Sequence, residues 1–266
     1  MRAWRPPRGV LAELVASARE DCARRVRERP RLAAEMASRP RHAPRFEAAL
    51  RGGRGFPLIC EVKQASPSAG AIRAVDLASQ ARAYVQGGAR CVSVLTEERR
   101  FGGRLDDLRA VRAAVDVPLL RKDFVVEPYM LAEAVDAGAD AVLLIAGALE
   151  PARLRELWTA AGELGLEVLL EVVHPFELEA PDALGATLVG VNARDLETLE
   201  VDDGRFQRLA PSLGRPGRLL VAESGIRDPE DVRRLARAGA GAALVGERVM
   251  RAADPVAAVR ALVEAA

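Results

Sequence analysis

The sequence contains few residues of several chemically informative types. Of its 266 residues, three are cysteine and two are histidine, and His42 and His174 lie far apart. An odd number of cysteines without metal-ligand spacing argues against a disulfide framework or a zinc site and is typical of a reducing compartment. No apolar stretch approaches the roughly 20 residues of a membrane span. The first residues also lack the apolar core of a signal peptide, so we expect a cytoplasmic protein.

Basic side chains in this chain are almost all arginine. Lys and Arg together number 39 and Asp and Glu number 38, which gives a formal net charge of +1. Because the two signs are interspersed, the charge pattern predicts neither nucleic-acid binding nor attachment to a membrane surface. Only Lys63 and Lys122 are lysines. A buried lysine can have its pKa moved into a range useful for proton transfer, whereas arginine stays protonated, so the positions of both are informative.

From Leu58 onward, short aliphatic runs alternate with helical patterns. Continuous apolar strands separated by helices are typical of a parallel sheet covered on both faces. Helix starts are indicated by capping or first-turn residues, namely Asp76, Pro128, Pro151, Pro175, Asp228 and Asp254. Strands are predicted over residues 58–63, 91–97, 118–124, 141–147, 167–173, 187–194, 218–224 and 242–247. Eight repeats of this kind favour an α/β fold, a closed (β/α)₈ TIM barrel, as a single domain over residues 1–266.

The first fifty residues have a different pattern. Residues 10–29 form an amphipathic, Arg-rich segment that predicts a helix, and a Pro- and Arg-rich linker follows over residues 30–44. We expect residues 1–50 to be an N-terminal helical extension packed on the barrel. An arm that binds nucleic acid is the alternative, and the Glu and Ala residues interleaved among the arginines oppose it.

Polar residues occupy the carboxyl ends of the predicted strands, where barrels of this fold carry their active sites. Because alternate residues of a strand share a face, the side chains of Glu61 and Lys63 should point the same way. Arg121 and Asp123 should face away from the site. The polar strand ends are Glu61, Lys63, Lys122, Glu171, Asn192, Arg194, Glu223, Ser224 and Glu247. Both lysines are among them, which favours a catalytic site over the alternative, a ring of salt bridges that closes the barrel.

Glycine-containing turns follow the last two predicted strands. Gly225 precedes the helix that opens at Asp228, and Gly246 precedes a short helical turn. Free backbone N–H groups in these two loops form the usual phosphate site of this fold. Ser66, after the first strand, offers a further hydroxyl donor or belongs to an ordinary turn. We therefore expect a small phosphorylated substrate. Since the sequence has no metal-ligand cluster and no nucleotide-binding motif, we expect no metal and no cofactor.

Six segments, taken in order, resemble the indole-3-glycerol phosphate synthase family. They are EVKQASPSAG (61–70), VLTEERRFGG (94–103), LLRKDFVVEPYM (119–130), LLEVVHPFEL (169–178), GVNARDLETLEVD (190–202) and VAESGI (221–226). The resemblance covers essentially the whole chain, including the N-terminal helix. It implies cyclisation of 1-(2-carboxyphenylamino)-1-deoxyribulose 5-phosphate to indole-3-glycerol phosphate, with loss of CO₂ and water, in tryptophan biosynthesis.

The resemblance also implies a role for each matching residue. Lys122 would be the general acid that protonates the ketone oxygen, with a pKa lowered by neighbouring cations. Glu171 would assist loss of the hydroxyl and of the ring proton, and Lys63 would lie by the substrate carboxylate or phosphate as a second acid. The other catalytic residues would be Glu61, Asn192 and Ser224. The substrate-binding residues would be Ser66, Phe101, Arg194, Glu223, Gly225, Gly246 and Glu247.

Several positions depart from the family pattern. Arg104 stands where serine is usual, Gln64 and Ala69 stand where a basic residue is common, and Val173 stands where histidine is common. None of these departures removes a proposed catalytic group. Two alternatives stay open, another phosphate-binding barrel such as a phosphoribosyl isomerase and a non-catalytic barrel scaffold. A monomer and a complex with other tryptophan-pathway enzymes are both compatible with the sequence.

Overall fold

The computed structural model describes residues 4–39, 43–66, 70–71 and 76–266, with the backbone alone at 65–66 and 70–71. His42 and Ala69, about which the sequence analysis made predictions, lie outside these described residues. A closed barrel of eight parallel strands confirms the predicted fold. The strands are β1 Leu58–Val62, β2 Cys91–Leu95, β3 Leu119–Lys122, β4 Ala141–Ile145, β5 Glu167–Val172, β6 Leu188–Asn192, β7 Leu219–Glu223 and β8 Ala242–Val245.

Each observed strand lies inside its predicted range and ends one or two residues before the end of that range. The strands are buried along almost their whole length, because the inner face packs in the barrel core and the outer face packs under the helices. The residues past each strand end leave the hydrogen-bond ladder and form the loops at the barrel mouth. After β1, residues Ala65–Ser66 and Gly70–Ala71 pair as a short antiparallel hairpin.

Helices cover the barrel between successive strands. Where aspartate precedes a helix, its carboxylate accepts a free N–H of the first turn, as Asp76 does from Ser79 at 3.0 Å. Pro175 opens a 3₁₀ turn, Pro175–Glu177, so the predicted α-helix at this point is wrong and the helix begins at Ala180. The outer helices are α4 Leu77–Gln86, α5 Leu105–Ala114, α6 Pro128–Asp136, α7 Pro151–Glu163, α8 Ala180–Leu184, α9 Arg205–Leu213, α10 Pro229–Arg237, α11 Glu247–Met250 and α12 Pro255–Val263, and a 3₁₀ turn spans Ala146–Ala148.

The N-terminal extension contains three helices, α1 Gly9–Glu28, α2 Leu32–Ala37 and α3 Phe46–Arg51. The first agrees with the predicted helix. The linker prediction over 30–44 is wrong in part, because α2 lies within it. Leu32 and Met36, one turn apart, are buried against Ala132 of α6, and this packing explains a helix that the proline-rich flanks conceal.

The start of α1 is fixed to the loop that follows β6. The backbone N–H of Val10 donates to the carbonyl of Glu197 at 3.1 Å, and Arg5 forms an ion pair with the Glu197 carboxylate, also at 3.1 Å. These contacts hold α1 across the carboxyl ends of the strands. Among the described helices, none combines the length and apolar character needed to cross a bilayer.

Candidate active site

A cavity of about 680 Å³ opens at the carboxyl ends of the barrel strands. Because all eight strands are parallel, their polar ends meet at one mouth although they are far apart in sequence. Most of the predicted site residues line this cavity: Glu61, Lys63, Phe101, Lys122, Asn192, Arg194, Glu223, Ser224, Gly225, Gly246 and Glu247. The structure thus brings together residues from the first strand to the last.

The two remaining site candidates are Glu171 and Ser66. Glu171 on β5 is fully buried beside Lys122 and does not form part of the cavity wall. Ser66 ends a hairpin strand, but its side chain is outside the described residues, so its predicted hydroxyl contact remains a prediction. His174 stacks on Phe176, with ring centroids 5.2 Å apart, away from the cavity wall. This position agrees with our interpretation of His174 as a bystander.

Lys122 lies between two buried carboxylates. Its Nζ is 3.6 Å from Glu171 Oε2 and 3.7 Å from Glu223 Oε2. Burial alone would lower the pKa of Lys122, but the charges of Glu171, Glu223 and Glu61 together raise it above the usual lysine value. Our prediction of a lowered pKa was wrong because the groups nearest the ammonium are anions rather than cations. Lys122 is therefore held in its protonated form, the form that a proton donor requires.

Glu61 and Lys63 form an ion pair, with Nζ 2.6 Å from Oε1, as their shared strand face predicts. Burial acts to raise the pKa of Glu61, but the charges of Lys63 and Lys122 bring it below the usual glutamate value. The pair packs directly against the loop after β8. A Cβ at Gly246 would lie 2.6 Å from Glu61 Oε1 and 2.9 Å from Lys63 Nζ, so a larger residue there would displace the ends of these two side chains.

Two turns shape the opposite side of the cavity. Asn192 Oδ1 accepts the backbone N–H of Arg194 at 2.9 Å, and Arg194 Nη1 donates to the carbonyl of Leu199 at 2.8 Å. The β6 loop is therefore held by the side chains that our sequence analysis placed in the site. After β7, Ser224 and Gly225 have φ of 65° and 73°. Two successive residues in the left-handed region turn the chain sharply toward α10.

Arg121 has the structural position that strand alternation predicts. It is fully buried and absent from the cavity wall. Its Nη2 donates to Asp123 Oδ2 at 3.0 Å, its Nη1 donates to the carbonyl of Met130 at 2.6 Å, and its Nε donates to Thr96 Oγ1 at 3.2 Å. Glu133 of α6 lies 3.3 Å from the same guanidinium. Asp123, in contrast, also borders the cavity.

Sequence analysis missed part of the cavity wall. Phe124 follows Lys122 by two residues, so alternation along the chain was a usable signal for it. Leu14 of α1 carries no such signal, because only packing places that helix over the mouth. The other missed lining residues are Leu95, Leu143, Ile145, Leu196, Leu199, Val201, Asp203, Ile226, Arg227, Leu244, Val245, Arg248 and Arg251. In the described part of the chain, no three His, Cys, Asp or Glu side chains are grouped as metal ligands would be.

Comparison with known proteins identifies the family. The family model described as indole-3-glycerol phosphate synthase matches residues 11–262. Proteins of that name from Nocardioides sp. and Streptomyces coelicolor are 51% and 49% identical to this chain over 257 and 259 residues. These alignments cover 94% and 96% of this chain, and 96% and 95% of the two relatives.

A solved structure gives independent support for the fold alone. Thiamine phosphate pyrophosphorylase from Pyrococcus furiosus matches with a TM-score of 0.58 at 16% identity, over 81% of this chain and 95% of that one. The sequence relatives carry the family assignment, because they are far more similar and span nearly the full length. This chain belongs to the indole-3-glycerol phosphate synthase family.

Proposed function

We propose that this chain cyclises 1-(2-carboxyphenylamino)-1-deoxyribulose 5-phosphate to indole-3-glycerol phosphate at the mouth of the barrel. The observation that carries the proposal is the position of Lys122 in the cavity wall with its ammonium 3.6 Å from Glu171. A proton donor and a buried carboxylate are thereby available at one site. Family membership argues against the phosphoribosyl isomerase alternative.

The proposed reaction assigns one proton transfer to each of the main groups. As the ring carbon that bears the carboxylate attacks the ketone carbon, Lys122 gives a proton to the ketone oxygen, which becomes a hydroxyl. CO₂ then leaves, and its bonding electrons stay with the ring system. The hydroxyl departs as water with a proton from Lys63, and Glu171 assists removal of the remaining proton to complete the indole. Developing charge at the oxygen is the reason that an acid is needed.

The other lining residues suit binding of the substrate. We assign the substrate's amine and hydroxyls to Glu61 and Asn192, which flank the two lysines in the wall. The phosphate is assigned to the loops after β7 and β8, where close backbone approach is possible. The residues assigned to the phosphate are Ser224, Gly225 and Gly246, with Ser66 from the β1 loop, and Glu247 is a further substrate-binding residue beside them. Phe101, Arg194 and Glu223 complete the enclosure.

The test is formation of the fluorescent indole product by the purified full chain, with a chelator and without any added cofactor. We expect Lys122→Met to lower kcat by roughly 10²–10⁴-fold, the usual contribution of a general acid. Arg109→Met is the matched control, because Arg109 on α5 is half-exposed and remote from the cavity. No product from folded wild-type protein would overturn the proposal and favour the non-catalytic barrel.

We propose that the enzyme works in the cytoplasm. All three cysteines, Cys22, Cys60 and Cys91, are free and buried. Burial raises the pKa of the Cys22 thiol to about 11, and it raises the pKa values of the other two still further. Unreactive thiols without disulfides suit a reducing compartment. Cell fractionation followed by immunoblotting with an antibody against the chain tests the location.

A further inference from the structure

The carboxyl groups beside Lys122 outnumber the cations that reach them. Glu171 on β5 and Glu223 on β7 are both fully buried. Each has one oxygen near Lys122 Nζ, at 3.6 and 3.7 Å, and both distances exceed the length of a hydrogen bond. Within the described residues, none of the four carboxylate oxygens has a hydrogen-bond partner. Buried carboxylates normally have such partners, so this pair needs an explanation.

The strands on either side of Glu223 supply no charge that could explain it. In the strand register, Glu223 lies beside Asn192 of β6 and Leu244 of β8, and neither residue is ionisable. On β6 the carboxyl packs against Gly190, where an added Cβ would overlap Glu223 Oε1. The Asn192 side-chain oxygen is itself engaged with the backbone N–H of Arg194. The charge balance of Glu223 is therefore set by groups that reach it across the barrel.

Counted by ion pairs within 4 Å, those groups leave one negative charge unmatched when every carboxyl is ionised. Lys122 on β3 faces both Glu171 and Glu223. From β1, Glu61 adds a further negative charge, which Lys63 matches at 2.6 Å. The Arg194 guanidinium also acts on Glu61, but it donates to the carbonyl of Leu199 and has no ion pair within 4 Å to Glu171 or Glu223. Two buried carboxylates thus share one ammonium, and an uncompensated charge out of water is costly. One proton bound by the pair removes the excess and supplies the missing hydrogen-bond donor.

We infer that Glu223 carries a proton at neutral pH and donates it in a hydrogen bond to a carboxylate oxygen of Glu171. Burial and the charge of Glu171 raise the pKa of the Glu223 carboxyl well above its usual value, and the charge of Lys122 offsets only part of this effect. Such proton sharing is the expected outcome wherever two carboxylates compete for one site.

The bound proton gives the two carboxyls different roles, and this part of the inference rests on the proposed function. With the shared proton on Glu223, Glu171 remains available to accept the ring proton. Neutral Glu223 removes one of the anions that raise the pKa of Lys122, so the ammonium is a stronger acid than it would be between two carboxylates. Glu223 is in this sense a positioning residue, because it acts on the reaction through Glu171 and Lys122.

Infrared difference spectroscopy of the resting full chain, without substrate, tests the inference. The carbonyl-stretch band of a protonated carboxylic acid should be present in wild type near neutral pH and absent in Glu223→Gln. Glu177 is the competing source of such a band, since burial raises its pKa to about 7. Spectra taken well above neutral pH, together with Glu177→Gln as a control, separate the two carboxyls.

Two further variants give shifts that a purely structural role of Glu223 would not produce. Glu171→Gln removes an anion, so the Glu223 band should titrate at a pH lower by at least about one unit. Lys122→Met removes the cation, so the same band should persist to a pH higher by a similar amount. Circular dichroism and thermal melting establish that each variant is folded.

A band lost in Glu171→Gln but retained in Glu223→Gln would place the proton on the wrong carboxyl and overturn the inference. The absence of any protonated-carboxyl band that Glu223→Gln removes would also overturn it. If Glu223→Gln fails to fold, the direction of the shift in Glu171→Gln decides. Because the band is measured without substrate, a failure to form indole would reject the proposed function and leave this result unaffected.

Discussion

The carboxylate of Glu97 accepts the backbone N–H of Phe101 at 3.0 Å, directly fixing the loop that follows β2. The same carboxylate accepts the N–H groups of Arg99 and Arg100, at 3.1 and 2.8 Å. Glu97 is buried, whereas Phe101 lies in the cavity wall. Glu97 does not contact the cavity, but it thus sets the position of Phe101, which does.

We expect Glu97→Gln to raise KM about fivefold with a smaller change in kcat. The neutral amide offers one weaker acceptor oxygen in place of two, at a cost of ~1 kcal/mol. Steady-state kinetics of indole formation give both constants. Glu98→Gln is the matched control, because its carboxylate pairs with Arg24 and Arg25 outside the cavity. Equal KM changes in the two variants would contradict the positioning role of Glu97.

Gly246→Ala should lower kcat/KM by about tenfold or more, because the new Cβ displaces the Glu61–Lys63 pair, and overpacking of this kind costs about 1–3 kcal/mol. Gly162→Ala in α7 is the control, since no atom lies within 4 Å of its added Cβ. In that helix, alanine should keep full activity and add roughly 0.5–1 kcal/mol of stability. Wild-type kcat/KM in Gly246→Ala would show that the pair has no part in catalysis or binding.

Arg121→Met should lower the free energy of unfolding by about 3–5 kcal/mol, because it leaves the buried carboxylate of Asp123 without its cation and takes one of two cations from Glu133, which keeps Arg25. Arg109→Met removes ion pairs with Asp106 and with Asp136, which keeps Arg29 as a partner, and should cost about 1 kcal/mol. Urea denaturation measures both values. If both variants unfold at the same urea concentration, the buried Arg121 network contributes no more to stability than the half-exposed ion pairs of Arg109.

Glu177 should make the protein less stable as pH rises toward neutrality. Burial raises the pKa of this carboxyl from 4.5 to about 7, against the opposing hydrogen bonds from the N–H groups of Val173 and His174. At pH values between these two pKa values, the folded state binds the proton more tightly than the unfolded state does. The stabilisation is therefore complete below about pH 4.5 and declines through about pH 7, by about 3 kcal/mol in total.

Urea denaturation at about pH 5 and about pH 8 checks this dependence. Glu177→Gln keeps an acceptor oxygen for the same N–H groups but cannot ionise, so its stability should fall by about 3 kcal/mol less between the two conditions. Ionisation of all other groups is common to both proteins and cancels in the comparison. The same fall in both proteins would show that Glu177 does not titrate in this range.

Local sequence patterns predicted the barrel and placed most of the candidate site residues at its mouth. Strand and helix periods, helix caps and polar strand ends all depend on residues close together in the chain. Once eight parallel strands are accepted, their carboxyl ends must converge, which is why the sequence alone places Lys63, Lys122 and Asn192 at one mouth. Segment α2 was missed because its helical face depends on burial against α6 rather than on its own pattern.

The sequence by itself determined the eight-strand alternation, the strand ends that carry polar groups, and the family. Tertiary structure alone decided that Leu14 lies over the cavity and that Glu171 lies behind its wall. It also decided the charge environment of Lys122, since the carboxylates of Glu171 and Glu223 reach its ammonium from distant strands. Burial and charge act through space, over distances set by packing, and no local pattern in a chain encodes those distances.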